Sequence, residues 1–333
     1  MARAVISIVG LGLVGASLGL AIRKAKPEIE VLGHDLNANA AKQALKLGAI
    51  EKSEWNLINA CEKANLLVLA TPAMAIKEIF QLTAPYLPEG QVITDTAGSK
   101  AQVMQWADEL LPAQVSFVGG DPMVGANGND FTPRADLFQG ATYCLSSGTA
   151  TPNNAIQLVV GLVELVGATP YFVDPSEHDS FVAMTDHLSF MVSTAMLRMA
   201  VAQGEPSRIP ADIHHLIGAT FRRATGFSSD DPQTFRDLCL TNRDAIARRL
   251  DEMSASLADL SAVVREGDSQ KLDALFNGIY VTRQVASRPY HDPDQEAQSA
   301  AIRMPGAFGI GDLLGIHPRK APDKGKEANG RRK

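Results

Sequence analysis

The sequence has little of what disulfide, metal, membrane or nucleic-acid chemistry requires. Its 333 residues include only three cysteines, which lie far apart, with no C-x-x-C and no histidine pair at ligand spacing. The net charge is -6, so the composition lacks the basic excess that binds nucleic acid. No run of about eighteen apolar residues occurs, and the first apolar run is too short for a signal peptide. We therefore expect buried thiols at Cys61, Cys144 and Cys239, no metal, no membrane or nucleic-acid partner, and a cytoplasmic location.

Hydrophobic residues, by contrast, are plentiful at 45%, and the chain is longer than a usual single domain. Strand-like runs alternate with helical patterns up to about residue 167, which is typical of a doubly wound, mostly parallel α/β sheet. The sequence therefore predicts a first domain over residues 1–174. Its strands are expected at about 4–9, 30–35, 66–71, 91–95, 115–119, 141–146 and 169–173.

After Asp174-Pro175 the pattern becomes all-helical, which predicts a second domain over residues 175–286. Its first helix carries more apolar residues than one face of a lone helix can use, so we expect this domain to form a homodimer. A self-contained helical bundle is the alternative. Residues 287–333 are proline-rich and end in a basic run, which predicts a mobile tail without an assigned partner. Helices are expected at about 176–203, 211–225, 232–266 and 268–285.

A G-x-G-x-x-G loop lies between the first predicted strand and the first predicted helix, at Gly10, Gly12 and Gly15. In this setting the glycines permit a tight turn, close approach of a pyrophosphate, and close packing of helix on strand. The helix would begin at Leu13 and Val14, with its amides facing the phosphates. These features predict a Rossmann-type dinucleotide site; an ordinary glycine-rich turn is the alternative.

An acid near the end of the second predicted strand, Asp35, selects the cofactor. A carboxylate there accepts both ribose hydroxyls of the adenosine half and repels a 2′-phosphate, which favours NAD over NADP. The third strand ends at Thr71 and Pro72, beside the crevice where dinucleotides bind, so both are predicted cofactor contacts. Small and polar residues after the next two strands, at 94–100 and 119–125, are expected to wall the nicotinamide and substrate pocket.

Eight sequence blocks follow one another in a specific order: GLGLVGASLGLAIR, GHD, LATPA, TDTAGSK, GGDPMVG, LFQGATY, VDPSEHDSFVAMTDHL and FRDLCLTNRDAI. In this order and spacing they resemble the prephenate and arogenate dehydrogenase family over nearly all of residues 4–285. The resemblance implies a Rossmann domain, a dimerising helical domain, and oxidation of prephenate or arogenate with NAD or NADP. Carbon dioxide would be released on the route to tyrosine.

The sequence departs from that family where the chemistry is expected. The histidine of the family's Gly-Gly-His-Pro-Met-Ala-Gly block corresponds to Asp121. The serine of the family's Asp-x-x-Ser-x-Lys block corresponds to Gly98, with Ser99 one residue later. We expect Asp121 to be the catalytic base, with Ser99 and His187 as polar neighbours. The plain alternatives are a turn or capping acid, a helix N-cap and a core histidine.

The family's substrate-binding residues are only partly kept. A Ser-His-Leu-Pro-His block reads Asp-His-Leu-Ser-Phe over 186–190, and Gly226 stands where a second arginine is expected. Arg222 and Arg223 point about 100° apart on a helix, so one of them is expected to hold a substrate carboxylate. His178 and Asp179 are expected to cap and orient the helix that follows Pro175. Two other functions stay open: an NAD-dependent dehydrogenase of another hydroxy acid or cyclic alcohol, and a non-catalytic NAD-binding dimer with a structural or regulatory role.

Overall fold

The computed structural model describes residues 3–125, 130–201, 208–226 and 231–286. The tail predicted over 287–333 lies outside these residues. In the described part, the first half of the chain forms one sheet with strand order β3-β2-β1-β4-β5-β6-β7-β8. Strands β1 to β6 are parallel, β7 is antiparallel to β6, and β8 is parallel to β7. Their bounds are β1 Val5–Val9, β2 Glu30–His34, β3 Lys52–Ser53, β4 Leu66–Leu69, β5 Val92–Asp95, β6 Ser116–Pro122, β7 Thr142–Ser147 and β8 Thr169–Phe172.

This architecture confirms the predicted doubly wound, mostly parallel sheet, with two differences. Strand β3 was not predicted, because it is two exposed polar residues that carry no apolar pattern. The reversal of β7 was not predicted either, since an apolar run gives no strand direction.

Helices cover both faces of the sheet, so its central strands are buried on each side. In β4, Leu66 and Val68 belong to one hydrophobic cluster, whereas Leu67 and Leu69 belong to the other. A continuous apolar run is what a strand buried on both faces requires. The helices are α1 Leu13–Ala25, α2 Ala38–Leu47, α3 Leu57–Glu62, α4 Ala73–Thr83, α5 Ala101–Leu110 and α6 Asn153–Leu165.

The second half is helical, as predicted, but three predicted helices are interrupted. A π-helical segment, Ala183–His187, divides the first; the second divides at Ile217-Gly218; the third breaks at Asn242, whose φ of -126° is not helical. The helices are α7 Pro175–Val182, α8 Leu188–Ala200, α9 Ala211–Leu216, α10 Ala219–Ala224, α11 Pro232–Thr241, α12 Arg243–Glu266 and α13 Ser269–Ala286.

Two carboxylates of the helical part cap helices of the sheet part. Asp179 on α7 accepts hydrogen bonds from the amides of Lys100 and Ala101, at 2.6 and 3.0 Å, where α5 begins. Asp237 on α11 accepts one from the amide of Met74, at 3.0 Å, in the first turn of α4. Each acid satisfies amides that a helix leaves without partners and interacts favourably with its dipole. The helical part is thereby anchored beside the carboxyl ends of β4 and β5.

The last two helices bury little of their apolar surface within one chain. Among the residues the structure describes, α13 has no buried member, and no helix is long and apolar enough to cross a membrane. The large apolar side chains of α13 that are more than half exposed are Phe276, Ile279, Tyr280, Val281 and Val285.

Candidate active site

The glycine loop has the backbone geometry that a dinucleotide cradle requires. Gly10 has φ +93°, and a Cβ built there would lie 2.3 Å from the carbonyl oxygen of Ala70. A Cβ on Gly15 would lie 1.9 Å from the carbonyl oxygen of Gly10, so only glycine allows α1 to pack on the turn. A Cβ on Gly12 would contact nothing within 4 Å. The loop is therefore closely packed against the protein at Gly10 and Gly15 and open at Gly12, where a ligand would approach.

Helix α1 begins on this open side with unpaired amides. Leu13 and Val14 form its first turn, which contains no acidic residue, and Gly12 supplies no side-chain cap. The first amides of a helix have no intrahelical acceptor and carry the positive end of its dipole. The start of α1 thus offers hydrogen-bond donors to a phosphate.

Asp35 lies just beyond β2 and is tied to the loop. Its Oδ2 accepts a hydrogen bond from the Leu11 amide at 2.7 Å, and its Oδ1 accepts one from the Asn37 amide at 2.7 Å. Each carboxylate oxygen keeps further acceptor capacity. Asp35 is therefore fixed at the edge of the cradle with lone pairs available for ribose hydroxyls.

Thr71 and Pro72 lie between β4 and α4, where the sheet meets the loop. The Thr71 methyl group lies 2.9 Å from the Cβ position built on Gly10. Its hydroxyl oxygen is buried and finds no hydrogen-bond partner among the described residues. An unsatisfied buried hydroxyl is uncommon in a native fold, and a bound cofactor amide or ribose would satisfy it. The glycine loop, the first amides of α1, Asp35 and this hydroxyl together fit a dinucleotide.

A buried ion pair fixes the neighbouring strand ends. The carboxylate of Asp95, the last residue of β5, is paired with the Lys100 ammonium group, and both side chains are fully buried. The second oxygen of Asp95 accepts a hydrogen bond from the Gly120 amide at 2.9 Å. Breaking one side of a buried ion pair is costly, so Asp95 is held in place. Its hydrogen bond to Gly120 in turn fixes β6 at the residue that precedes Asp121.

Asp121 forms one end of a hydrogen-bonded chain of three side chains. Its Oδ2 lies 3.1 Å from Nε2 of His178, and Nδ1 of His178 lies 3.0 Å from Oδ1 of Asp179. The His178 side chain is 1% exposed, while the Asp121 side chain is 11% exposed. The order is therefore a buried carboxylate on α7, a buried imidazole, and a carboxylate on β6 that keeps a small exposed fraction.

The surroundings of Asp121 and His178 shift the pKa values of both side chains. Burial raises the pKa of Asp121, while the hydrogen bond and charge of His178 and the charge of Lys100 act to lower it; Asp186 adds a raising effect. Burial by itself would lower the pKa of His178, but hydrogen bonds to Asp121 and Asp179 raise it to about 11. His178 is therefore an imidazolium at neutral pH.

His187, at the end of the π-helical segment, lies beside these three side chains. Burial lowers the pKa of His187, while the charges of Asp186 and Asp179 and a weak backbone interaction with Gly98 act to raise it. Asn242 donates a hydrogen bond to Nδ1 of His187 at 3.3 Å, which leaves the proton on Nε2. This buried Nε2 makes no well-aligned hydrogen bond in the described part of the chain, where its neighbour is the Gly98 backbone, and it lies 3.6 Å from a Cβ built on Gly98. π-helical turns are frequent at functional sites, and this one presents a donor that is at most weakly satisfied.

Ser99 is buried in the same region but is directed elsewhere. Its hydroxyl lies 2.7 Å from that of Thr241 on α11, and Thr241 donates to the carbonyl oxygen of Asp237. Ser99 must therefore be the donor to Thr241. No described hydrogen bond joins Ser99 to Asp121, so the structure does not place it as a neighbour of that carboxylate.

The two predicted arginines lie away from this cluster. Arg222 and Arg223 are exposed on α10, and Arg222 donates a hydrogen bond to the carbonyl oxygen of Ile217 at 2.9 Å. No hydrogen bond or ion pair in the described residues joins either guanidinium to Asp121 or His187. Within one chain, the structure does not bring either arginine to the cluster of Asp121, His178 and His187.

His178 is the residue that sequence reasoning missed. The expectation that His178 and Asp179 cap α7 was wrong, because Asp174 caps that helix through the amides of Ser176 and Glu177. Asp179 instead caps α5, and His178 points at Asp121. Two sequence features could have indicated this role. His178 and Asp179 are adjacent near the start of a helix, and Asp121 occupies the position where the family has a histidine.

The glycine cradle and the buried acid–imidazole pair define a nucleotide-binding α/β protein with a helical second domain. Two family profiles match it: "Prephenate dehydrogenase, nucleotide-binding domain" over residues 18–172, and "Prephenate dehydrogenase, dimerization domain" over residues 174–278. The chain belongs to the prephenate dehydrogenase family.

Individual relatives agree with this assignment. The chain is 29% identical over 275 residues to a prephenate dehydrogenase of Bacillus subtilis, covering 81% of this chain and 73% of the relative. It is 28% identical over 289 residues to a cyclohexadienyl dehydrogenase of Zymomonas mobilis, covering 86% and 97%. A crystal structure of Aquifex aeolicus prephenate dehydrogenase with hydroxyphenyl propionate and NAD+ has a TM-score of 0.76 at 22% identity, covering 86% and 99%. This last likeness shows the shared fold.

Proposed function

We propose that this protein is an NAD-dependent dehydrogenase that oxidises prephenate or arogenate with loss of carbon dioxide, a step toward tyrosine. The observation that carries the proposal is the contact between the Asp121 carboxylate and His178, in a domain that also contains a dinucleotide cradle. Family membership supplies the substrate class. Such a reaction needs a hydride acceptor and a group that takes a hydroxyl proton.

The cradle residues would hold NAD. Gly10, Gly12 and Gly15 shape the turn, and the amides of Leu13 and Val14 face the pyrophosphate. Asp35 would accept the ribose hydroxyls and disfavour a 2′-phosphate, and Thr71 and Pro72 would contact the nicotinamide half. NAD supplies the hydride acceptor when bound.

Asp121 would take the substrate's hydroxyl proton through Oδ1. Its Oδ2 is used by His178, whereas Oδ1 has no hydrogen bond among the residues described. Burial, which raises the pKa of Asp121, makes it a stronger base than an ordinary aspartate. His187 would donate from Nε2 to a substrate oxygen, and Ser99 would act at a distance by fixing α11 against the start of α5.

For the substrate carboxylate we retain Arg222 or Arg223 as the proposed anchor. Both are exposed in one chain, and the helical domain offers a large uncovered apolar surface on α12 and α13. We propose that a homodimer covers this surface, as the name of the second family profile also indicates. The proposed location is the cytoplasm, and we retain the proposed domain limits of 1–174, 175–286 and 287–333.

The test is turnover by the purified full-length protein. Prephenate and arogenate are each offered with NAD and with NADP, while reduced nicotinamide and carbon dioxide are measured. The proposal predicts equal amounts of both products with at least one substrate, and a preference for NAD.

Other outcomes of this assay would support the alternative functions. Turnover of a different hydroxy acid or cyclic alcohol, with neither prephenate nor arogenate oxidised, would replace the proposed substrate class. Such compounds belong in the substrate panel because Asp121 and Gly226 stand where the family has a histidine and an arginine. Tight NAD binding without any turnover would instead indicate a non-catalytic dimer.

A further inference from the structure

We propose that the His178 imidazolium, locked in place by Asp179, holds the buried Asp121 in the carboxylate form that accepts the substrate's hydroxyl proton. His178 is thus a positioning residue whose effect is electrostatic. This inference rests on the proposed function, and it explains how an aspartate can serve where the family uses an imidazole.

The lock begins at Asp179. Its Oδ1 accepts from the Lys100 amide and its Oδ2 from the Ala101 amide, at 2.6 and 3.0 Å. Asn242 also donates to the backbone carbonyl oxygen of Asp179 at 2.7 Å. A carboxylate whose two oxygens each accept from a backbone amide at a helix N-terminus is fixed in orientation.

His178 is held between two acceptors as a result. Its Nδ1 donates to Asp179, and its Nε2 reaches Oδ2 of Asp121 at 3.1 Å. Because Asp179 is fixed by the two amides, these two contacts hold the His178 ring in one orientation. The contact leaves Oδ1 of Asp121 as the oxygen that can meet a substrate.

The titratable groups around this pair come from four neighbouring elements. Asp121 lies on β6, Tyr143 and Cys144 on the adjacent β7, Lys100 before α5, and Asp186 and His187 on the π-helical segment. Lys100 is already paired with Asp95. His178 is therefore the cation in direct contact with Asp121.

The proton steps balance simply. When the substrate hydroxyl O–H bond breaks, a new O–H bond forms at Oδ1 of Asp121, and the imidazolium proton stays on His178. When carbon dioxide leaves and the ring becomes aromatic, the proton returns from Oδ1 to the phenolic oxygen of the product, which restores the Asp121 carboxylate. Without His178, the effect of burial, which raises the pKa of Asp121, would be opposed by the charge of Lys100 alone, so a larger fraction of Asp121 would be protonated and unable to accept a proton.

The variant His178→Gln tests this electrostatic role. We expect the acid limb of kcat/KM to move up by at least about one pH unit, so that activity falls about tenfold or more at neutral pH and recovers at higher pH. The matched control is His214→Gln, an exposed histidine on α9, which should keep the wild-type profile. An equal loss at every pH, or no loss, would overturn the inference.

A second measurement depends neither on turnover nor on the variant folding. Nitrogen-15 NMR of the imidazole groups in the wild-type, full-length protein reports whether both ring nitrogens of His178 are protonated, with the signal assigned by through-space contacts of the His178 ring to its neighbours. We expect an imidazolium well above neutral pH; a neutral ring there would overturn the inference. Wild-type protein without turnover would instead defeat the proposed function, even with His178 charged.

Discussion

Replacing Asp121 by asparagine removes proton acceptance with little change in shape. The amide oxygen of asparagine can still accept from Nε2 of His178, so the 3.1 Å contact can survive. The side chain can no longer take a hydroxyl proton. Asp121→Asn therefore separates the chemistry of this position from its packing.

The size of the effect follows from what general-base catalysis contributes. That contribution is roughly a hundred- to ten-thousandfold in rate, or about 3–5 kcal/mol of barrier. The loss should appear in kcat, because the dinucleotide cradle around Gly10 and Asp35 does not include Asp121. The Kd for NAD should stay within about twofold of wild type.

The assay is steady-state production of reduced nicotinamide at saturating substrate, with NAD affinity measured by fluorescence titration. The matched control is Asp108→Asn, an exposed acid on α5. Asp121→Asn activity within about twofold of this control would refute a base at this position. A loss accompanied by equally weakened NAD binding would instead show that the substitution disturbs the cradle.

Three further predictions concern the cradle and the contact between the two parts. Gly10→Ala should destabilise the fold by at least about 1–2 kcal/mol, because φ is +93° and a Cβ would lie 2.3 Å from the Ala70 carbonyl oxygen; unchanged thermal unfolding and NAD affinity would contradict this. Asp35→Asn should lower the NAD-over-NADP ratio of kcat/KM by about tenfold, since the charge that repels a 2′-phosphate is lost, and an unaltered ratio would reject the role of Asp35. Asp237→Asn should cost about 1 kcal/mol of stability through the weakened cap at Met74; a variant as stable as wild type would show that this cap contributes nothing.

Much of the fold could be predicted because its signals are local. The apolar run of β1, the glycine turn and the start of α1 follow one another in sequence, so their spacing alone indicated a dinucleotide cradle. The π-helical segment over 183–187 could not be predicted in the same way. Its apolar periodicity continues from α7 into α8, and only the packing shows where the register changes.

The candidate site likewise contains residues that could be predicted from local sequence and residues that could not. Asp121 could be singled out because it replaces a family histidine in a recognisable block, whereas its partner His178 lies 57 residues away on another element. Nothing in that spacing indicates that β6 and α7 meet. The placement of Ser99 toward Thr241 follows likewise from the packing of α11 against the start of α5, which no local pattern encodes.

The most direct test of the central claim is the stoichiometry of a complete reaction by the wild-type protein. Reduced nicotinamide, carbon dioxide and aromatic product are measured together after NAD is mixed with prephenate or arogenate. We predict equal amounts of all three with at least one of the two substrates. Saturable NAD binding with none of the three products from either substrate would contradict the assignment.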